Sequence, residues 1–456
     1  MGSLLDRLSE ALAPRYSPPS PTYARRLGLF DGTMLVMGGI IGAGIFLNPA
    51  IVAQRVGSAG LTVGVWVVGG VIALAGAFCF AELGSNRPKV GGGYVYLRDA
   101  FGPLPAFLYG WTLLLIIATG AIAAVAVTFA RYFAALTGLP DGWITPTAVA
   151  AILLLSAINY VGVRAGSLTQ NAFTVIKLVA LGTLIVVGFM ASGGTPTATA
   201  SVTPAADTST VTGFIAVVGV ALLPVLFSYG GWQQTNFVAE EIVDPERTLP
   251  KALVLGVVGV VAVYVLANMV YVKVLGVGAL AASQAPAADV MRASLGPAGA
   301  AFISAGIAAS TFGFLNLVIL VSPRVYQAMA NDGVFFRRVA NLHPRFRTPT
   351  TAIVFQAGWA IVLTLSGTYG QLLDYVVFGD WIFFGLVGAT LFVFRRRDTN
   401  SGFCTPGYPW VPALFVVASF FVVVSSVVSN PGNALIGSAL IGLGIPVYVY
   451  WSRASD

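Results

Sequence analysis

An all-α polytopic membrane protein of twelve transmembrane helices is predicted from three features: the apolar excess of the chain, the length of its apolar runs and the placement of its basic residues. Of 456 residues, 57% are hydrophobic and 9% charged, with a mean hydropathy of +0.87. A soluble domain carries about 25% charged residues. Near-continuous apolar runs of the ~20 residues needed to cross a bilayer fall at 28–56, 61–83, 104–136, 145–163, 170–191, 212–240, 252–276, 297–330, 350–367, 371–394, 410–428 and 432–452. They are too long and too uniform for the ~10-residue alternating strands of an outer-membrane barrel. With a cytoplasmic N-terminus, only Arg55, Arg131, Lys273 and Arg292 of the 24 Lys and Arg residues fall outside, and Lys177 lies within a span. The other basic residues line the cytoplasmic side, which is the positive-inside rule and places both termini in the cytoplasm. This distribution accounts for the net charge of +7 with no nucleic-acid partner and points to the plasma (inner) membrane, with lipid as the surrounding partner.

Taken in order, residues 1–26 are rich in Pro and Ser and lack the three parts of a signal peptide, so they read as a polar cytoplasmic tail. Segment one is interrupted by GGIIGAGIF, Gly38 to Phe46. Each glycine costs about 1 kcal/mol in a helix interior, so Gly38, Gly39, Gly42 and Gly44 together favour a break. In hydrocarbon, the backbone groups that a break frees need partners. The first half ends in carbonyls that suit an ammonium. The second opens with the amides of Ala43, Gly44 and Ile45, a helix N-terminus that suits a carboxylate. Close helix packing through small residues is the competing reading of the same glycines.

Segment two ends at Glu82, and Gly91, Gly92 and Gly93 after it read as a surface turn, since no GxxxxGK[ST] phosphate loop is present. Segment three contains Thr119 and Gly120 but no acidic residue. Segment five carries Lys177, a functional candidate because an ionisable group within a span is costly unless paired or hydrated. Snorkelling to the interface is the alternative. Residues 192–211 form a Thr-, Ala-, Ser- and Pro-rich exofacial loop. Segment six breaks at FSYGGW, Phe227 to Trp232, and continues with Gln233, Gln234 and Asn236, which need partners at membrane depth. Segment eight holds Ser310, Thr311 and Asn316. Segment ten holds Asp380, read either as a proton-linked group or as one hydrogen-bonded within the bundle. Segments eleven and twelve carry no interior charge and read as scaffold or a lateral contact surface.

Other chemistries are excluded. His343 is the only histidine, and with Cys79 and Cys404 far apart it builds no metal site. The chain has no nucleotide-binding domain and no histidine placed for a catalytic triad, so neither an enzyme nor a cofactor is expected. Two interrupted segments in corresponding halves of a membrane protein point instead to a transporter's binding site.

GGIIGAGIF followed by FSYGGWQQTNFVAEEIVDPERTLPKAL resembles the amino acid–polyamine–organocation superfamily, and more narrowly bacterial relatives of the L-type amino acid transporters. SPRVYQAMANDG and the lysine of segment five support the resemblance, which spans about residues 25–450. It implies two inverted five-helix repeats, 27–191 and 212–394, joined by the loop 192–211 and followed by two peripheral helices and a cytoplasmic C-terminus, 395–456. It further implies that backbone of Ile40, Ile41, Ala43, Gly44 and Ile45 holds the α-amino and α-carboxylate groups of an amino acid. Phe227, Ser228 and Gly230 then complete the site, with Phe227 as a lid. Lys177 takes the place where sodium-coupled cousins bind sodium between helices one, five and eight, and tethers helix five to helix one; Ser310 and Thr311 line the same region. Thr119, Asn316 and Asp380 are the candidates for contact with the substrate side chain. Heteromeric animal members attach a glycoprotein through an exofacial cysteine; Cys79 within a span and Cys404 in a cytoplasmic loop offer none, so no disulfide-linked heavy subunit is expected.

The residues and the resemblance converge on a small zwitterion. No acid occurs at pocket depth in segments one, three, six or eight, which favours a neutral amino acid, carried by proton symport or by exchange. The alternatives are a cationic amino acid or polyamine with Asp380 as counter-ion, or an amino-acid receptor without coupled transport. A side chain placed at Gly44 is expected to fill the space of the substrate carboxylate.

Overall fold

The computed structural model describes residues 23–191, 210–366, 369–397, 402–429 and 431–455. The tail as far as residue 22 and the loop residues 192–209 lie outside this range. All twelve apolar runs are helical. The first is split into α1a (Leu29–Ile40) and α1b (Gly44–Val56), bent by 41°. Then follow α2 (Ala59–Asn86), α3 (Pro103–Thr137), α4 (Ile144–Val161) and α5 (Val163–Met190). The second break divides α6a (Val211–Tyr229) from a tighter 3-10 half, α6b (Trp232–Glu241). The remaining helices are α7 (Pro245–Ala282), α8 (Pro286–Val321), α9 (Thr350–Ser366), α10 (Tyr369–Arg397) and α11 (Trp410–Ser429), with α12 as Pro431–Gly442 and Gly444–Ser455. Ten helical stretches are long and apolar enough to cross a membrane, the bent α1a–α1b pair makes an eleventh, and the 17-residue α9 is shorter. The first residue of both α7 and α8 is a proline, which the open first turn of a helix tolerates.

Counterparts five spans apart pack on one another: α1b on α6a, α2 on α7, α3 on α8 and α4 on α9. The broken helices therefore lie side by side in the middle of the bundle, while α11 and α12 stay at its edge. Leu435 on α12 and Val428 on α11 are more than 70% exposed. Apolar side chains directed outward suit a surface that meets lipid rather than water.

Among the described residues the only sheet-like contact is a parallel bridge between Leu27 and Ile242. The amides of Arg26 and Leu27 donate to the Glu241 carbonyl at 2.9 and 3.0 Å, and the Val243 amide donates to the Leu27 carbonyl at 2.9 Å. The chain entering α1a is thereby tied to the chain leaving α6b. Arg324, counted above among the basic residues of the cytoplasmic face, is wholly buried here. Its Nε donates to Glu241 Oε1 at 2.8 Å, and both side chains have no exposure. The span scale hides this, because an arginine just after an apolar run looks like an interface anchor until its partner is seen. Breaking such a pair costs roughly 3–5 kcal/mol, because it leaves a buried charge uncompensated.

Candidate functional site

The first break exposes one carbonyl end and one amide end, and the protein treats them differently. Lys177 lies fourteen residues into the 28-residue α5, about 21 Å along it at 1.5 Å per residue, and has no exposure. Its Nζ donates to the carbonyls of Gly38 at 3.1 Å and Ile41 at 2.6 Å, so it ties α5 to the break and does not snorkel. Ser310 Oγ of α8 donates to the same Ile41 carbonyl at 3.2 Å. The Tyr264 hydroxyl of α7 lies 3.0 Å from the Ile40 carbonyl. The carbonyl end is thus largely occupied by donors of the protein. On the amide side, Gly42 N donates to Ile40 O and Phe46 N to Ala43 O. The amides of Ala43, Gly44 and Ile45 have no acceptor among the described residues. They are the first N–H groups of α1b, which a helix leaves unsatisfied by construction.

At the second break the backbone is satisfied in part from within the break, the amides of Trp232 and Gln233 having no acceptor among the described residues. Gly230 N donates to Phe227 O at 3.2 Å, Gly231 N to Gln233 Oε1 at 2.9 Å and Gln234 N to Gly231 O at 3.2 Å. The Tyr264 hydroxyl reaches here too, 3.3 Å from the Ser228 carbonyl, so its single proton is shared between the two breaks. Gly231 has φ +112°, and a Cβ built on it would run into the Gly39 carbonyl, so the two broken backbones touch at a point only glycine permits.

Between the breaks lies a cavity of about 240 Å³. This is smaller than the ~300–1,000 Å³ of a drug-sized site, as suits a small molecule. Ile40, Gly42, Ala43, Gly44 and Asn48 line it from α1, and Phe227, Ser228, Gly230, Gln233 and Gln234 from α6. Ala118, Ala121, Val125 and Thr128 contribute from α3, Phe314 from α8, and Val376, Asp380, Trp381 and Phe384 from α10. Phe227 lines the cavity and is 39% exposed, unusual for an aromatic ring at the centre of a bundle.

Of the residues expected from sequence, Ile40, Ala43, Gly44, Phe227, Ser228, Gly230 and Asp380 meet at this cavity, and Lys177 with Ser310 sits directly behind it. Ile41 and Ile45 do not line it; the Ile41 carbonyl serves Lys177, and the Ile45 carbonyl accepts from Tyr271 Oη at 3.2 Å. Thr311 turns to its own helix, donating to Ile307 O and Ala308 O. Thr119 and Asn316 are displaced from the substrate pocket where they were expected. Thr119 Oγ1 donates to Leu114 O at 2.6 Å across the π-helical turn Leu113–Ile117. Asn316 belongs to a separate buried network, donating to Gly166 O and Gln170 Oε1 and accepting from Asn159. The expectation for Gly44 is also corrected. A Cβ there would meet Ser228 Oγ at 2.5 Å and Ser228 Cβ at 2.9 Å, so it would wedge α1b from α6a rather than fill the cavity.

Sequence reasoning missed Tyr264 and Asn48. Asn48 Nδ2 donates to Pro224 O at 2.9 Å and Ser228 Oγ at 2.7 Å, pinning α1b to α6a beside the cavity. In both cases the only available signal was a polar atom within an apolar run.

The family described as amino acid permease matches residues 27–451. The serine/threonine exchanger SteT of Bacillus subtilis is 32% identical over 430 residues, covering 93% of this chain and 96% of that protein. The large neutral amino acids transporter small subunit 2 of Oryctolagus cuniculus is 33% identical over 438 residues, 94% of this chain and 81% of the other. The cystine/glutamate transporter of Pongo abelii is 32% identical over 438 residues, 94% of this chain and 86% of the other.

Proposed function

Since the chain belongs to the amino acid permease family, we propose that it is a secondary active transporter of neutral L-amino acids. It works by alternating access, as an exchanger or a proton symporter. The observation that carries this reading is the run of amides of Ala43, Gly44 and Ile45, without an acceptor among the described residues, at a helix start whose Ala43 and Gly44 line the cavity. Three N–H groups at a helix N-terminus receive an α-carboxylate. The free lone pairs of break carbonyls in the cavity-lining residues, Gly42 among them, receive the ammonium. The relatives are named for amino acids with unlike side chains; the zwitterionic head is what such substrates share, and the head is what the breaks fit.

In this reading Lys177 is the cation that holds the carbonyl side of the first break, Phe227 closes over the bound molecule, and residues 27–191 and 212–394 are the two repeats that rock about it. Both termini face the cytoplasm, in accord with the basic loops, and the protein works in the plasma membrane. Cys79 is buried, and Cys404 lies beyond α10, in a loop assigned to the cytoplasm, so attachment to a heavy subunit through a disulfide is not part of the proposal. A second reading, a cationic amino acid or polyamine as substrate, draws on Asp380, the one carboxylate lining the cavity among the described residues.

The test is counterflow in proteoliposomes loaded with unlabelled alanine. Saturable, trans-stimulated entry of labelled alanine, inhibited by neutral amino acids, is expected. Stronger competition by arginine or spermidine would transfer the assignment to the cationic class, and absence of trans-stimulated flux would leave a receptor.

A further inference from the structure

Asp380 is not explained by recognition of an amino-acid head group. It lies on α10, across the cavity from the first break, and its carboxylate accepts no hydrogen bond from any described residue. The described residues lining the cavity with it are mostly apolar, Leu113, Ile117, Val376, Trp381 and Phe384 among them, and Tyr109 of α3 is the other described lining residue that titrates. The other charges lie elsewhere. Lys177 is committed to the carbonyls of Gly38 and Ile41. Arg395 lies fifteen residues further along α10, about 22 Å at 1.5 Å per residue, and pairs with Glu82 of α2 at 2.6 Å. Among the described residues, α9, α11 and α12 bring no charged group to the cavity wall.

An ionised carboxylate in such surroundings is costly, and the cost is relieved by a proton or by a cation. A substrate ammonium has three N–H donors to satisfy and a guanidinium five. A proton neutralises the carboxylate and leaves a single O–H to place, whereas a cation bonded to it keeps further N–H donors that each need an acceptor. A proton site therefore asks less of this wall than a cation site.

We propose that Asp380 is the proton-binding site of this transporter, taking up one proton from the side to which the cavity is open and releasing it on the other, together with one neutral amino acid. The inference rests on the transport reading above and decides between exchange and symport in favour of symport. No covalent bond changes; the proton moves between water and a carboxylate oxygen, and each cycle carries one positive charge inward with the zwitterion.

The experiment compares wild type and Asp380→Asn in proteoliposomes, measuring alanine counterflow without a gradient and alanine accumulation under an inward proton gradient. The expected result is uphill accumulation by wild type, on the order of tenfold for a one-unit pH gradient, since one co-transported proton links the two ratios directly. Asp380→Asn should lose uphill accumulation under the gradient, whatever its rate of counterflow. Accumulation by the Asn variant, or wild-type counterflow with no response to the gradient, would overturn the proton site while leaving the transport reading intact. Failure of wild-type counterflow would instead remove the transport reading itself. Should Asp380→Asn lose counterflow as well, proton uptake by wild-type protein on adding alanine in weakly buffered detergent solution decides the matter. Near pH 7, measurable uptake approaching one proton per alanine bound supports the site, and none overturns it.

Discussion

The two helix breaks do the same geometric work and are finished in opposite ways. At the first, donors from three other helices hold the carbonyls, Lys177 from α5, Ser310 from α8 and Tyr264 from α7, while the amides of Ala43, Gly44 and Ile45 are left open. At the second, Gly230 closes onto Phe227 and Gly231 onto the Gln233 side chain, both within the break itself, while the amides of Trp232 and Gln233 have no acceptor among the described residues. The first break is therefore held by other helices and the second largely by its own residues, and it is the second that presents an aromatic side chain, Phe227, to the cavity.

The comparison breaks most severely where the two touch. Gly231→Ala introduces both an unfavourable positive φ and a collision with the Gly39 carbonyl. Destabilisation on the order of 3 kcal/mol or failure to fold is expected, read as thermal unfolding of purified protein. Gly42→Ala is the control from the first break, because its Cβ would sit an ordinary 3.6 Å from Phe314. Comparable damage from both would show that the tightness of the second break is no distinction. Lys177→Met comes next. It leaves the carbonyls of Gly38 and Ile41 without their charged donor, at about 1–3 kcal/mol for each unsatisfied buried group, and counterflow at fixed substrate should fall by at least tenfold in protein that remains monodisperse. Unchanged counterflow would mean that the first break does not need its cation. The smallest effect is expected of Tyr264→Phe, which removes one hydroxyl shared by both breaks, for about 1 kcal/mol. A loss confined to stability, with substrate affinity intact, would assign the bridge to the scaffold rather than to the site.

Much of this architecture was legible in the residues. The twelve spans follow from hydropathy summed over windows of about 20 residues, a quantity that no tertiary contact alters, and most helices begin within several residues of the expected runs, while α5, α7 and α8 begin earlier by seven, seven and eleven. The glycines of GGIIGAGIF and FSYGGW located both breaks, because the energetic cost of glycine in a helix is local. Lys177 stood out for a related reason, since a charge within an apolar run is conspicuous wherever its partner lies.

What the chain alone left undecided is which way each polar group turns. Successive residues on a helix point about 100° apart at 3.6 residues per turn, so Ala118 lines the cavity while Thr119 beside it bonds its own helix across a π turn. Asn316 was expected to face the substrate and instead joins Asn159 and Gln170 in a separate buried network. Arg324 was counted with the basic residues of the cytoplasmic side and is buried against Glu241, 83 residues away in the chain. Asp380, by contrast, does reach the cavity. Composition and spacing determined that this is a membrane bundle with two interrupted helices. Only the rotation and mutual packing of those helices decided which carbonyls are occupied, which amides are left open and that Asp380 reaches the cavity, because side-chain direction is a property of helices placed against one another.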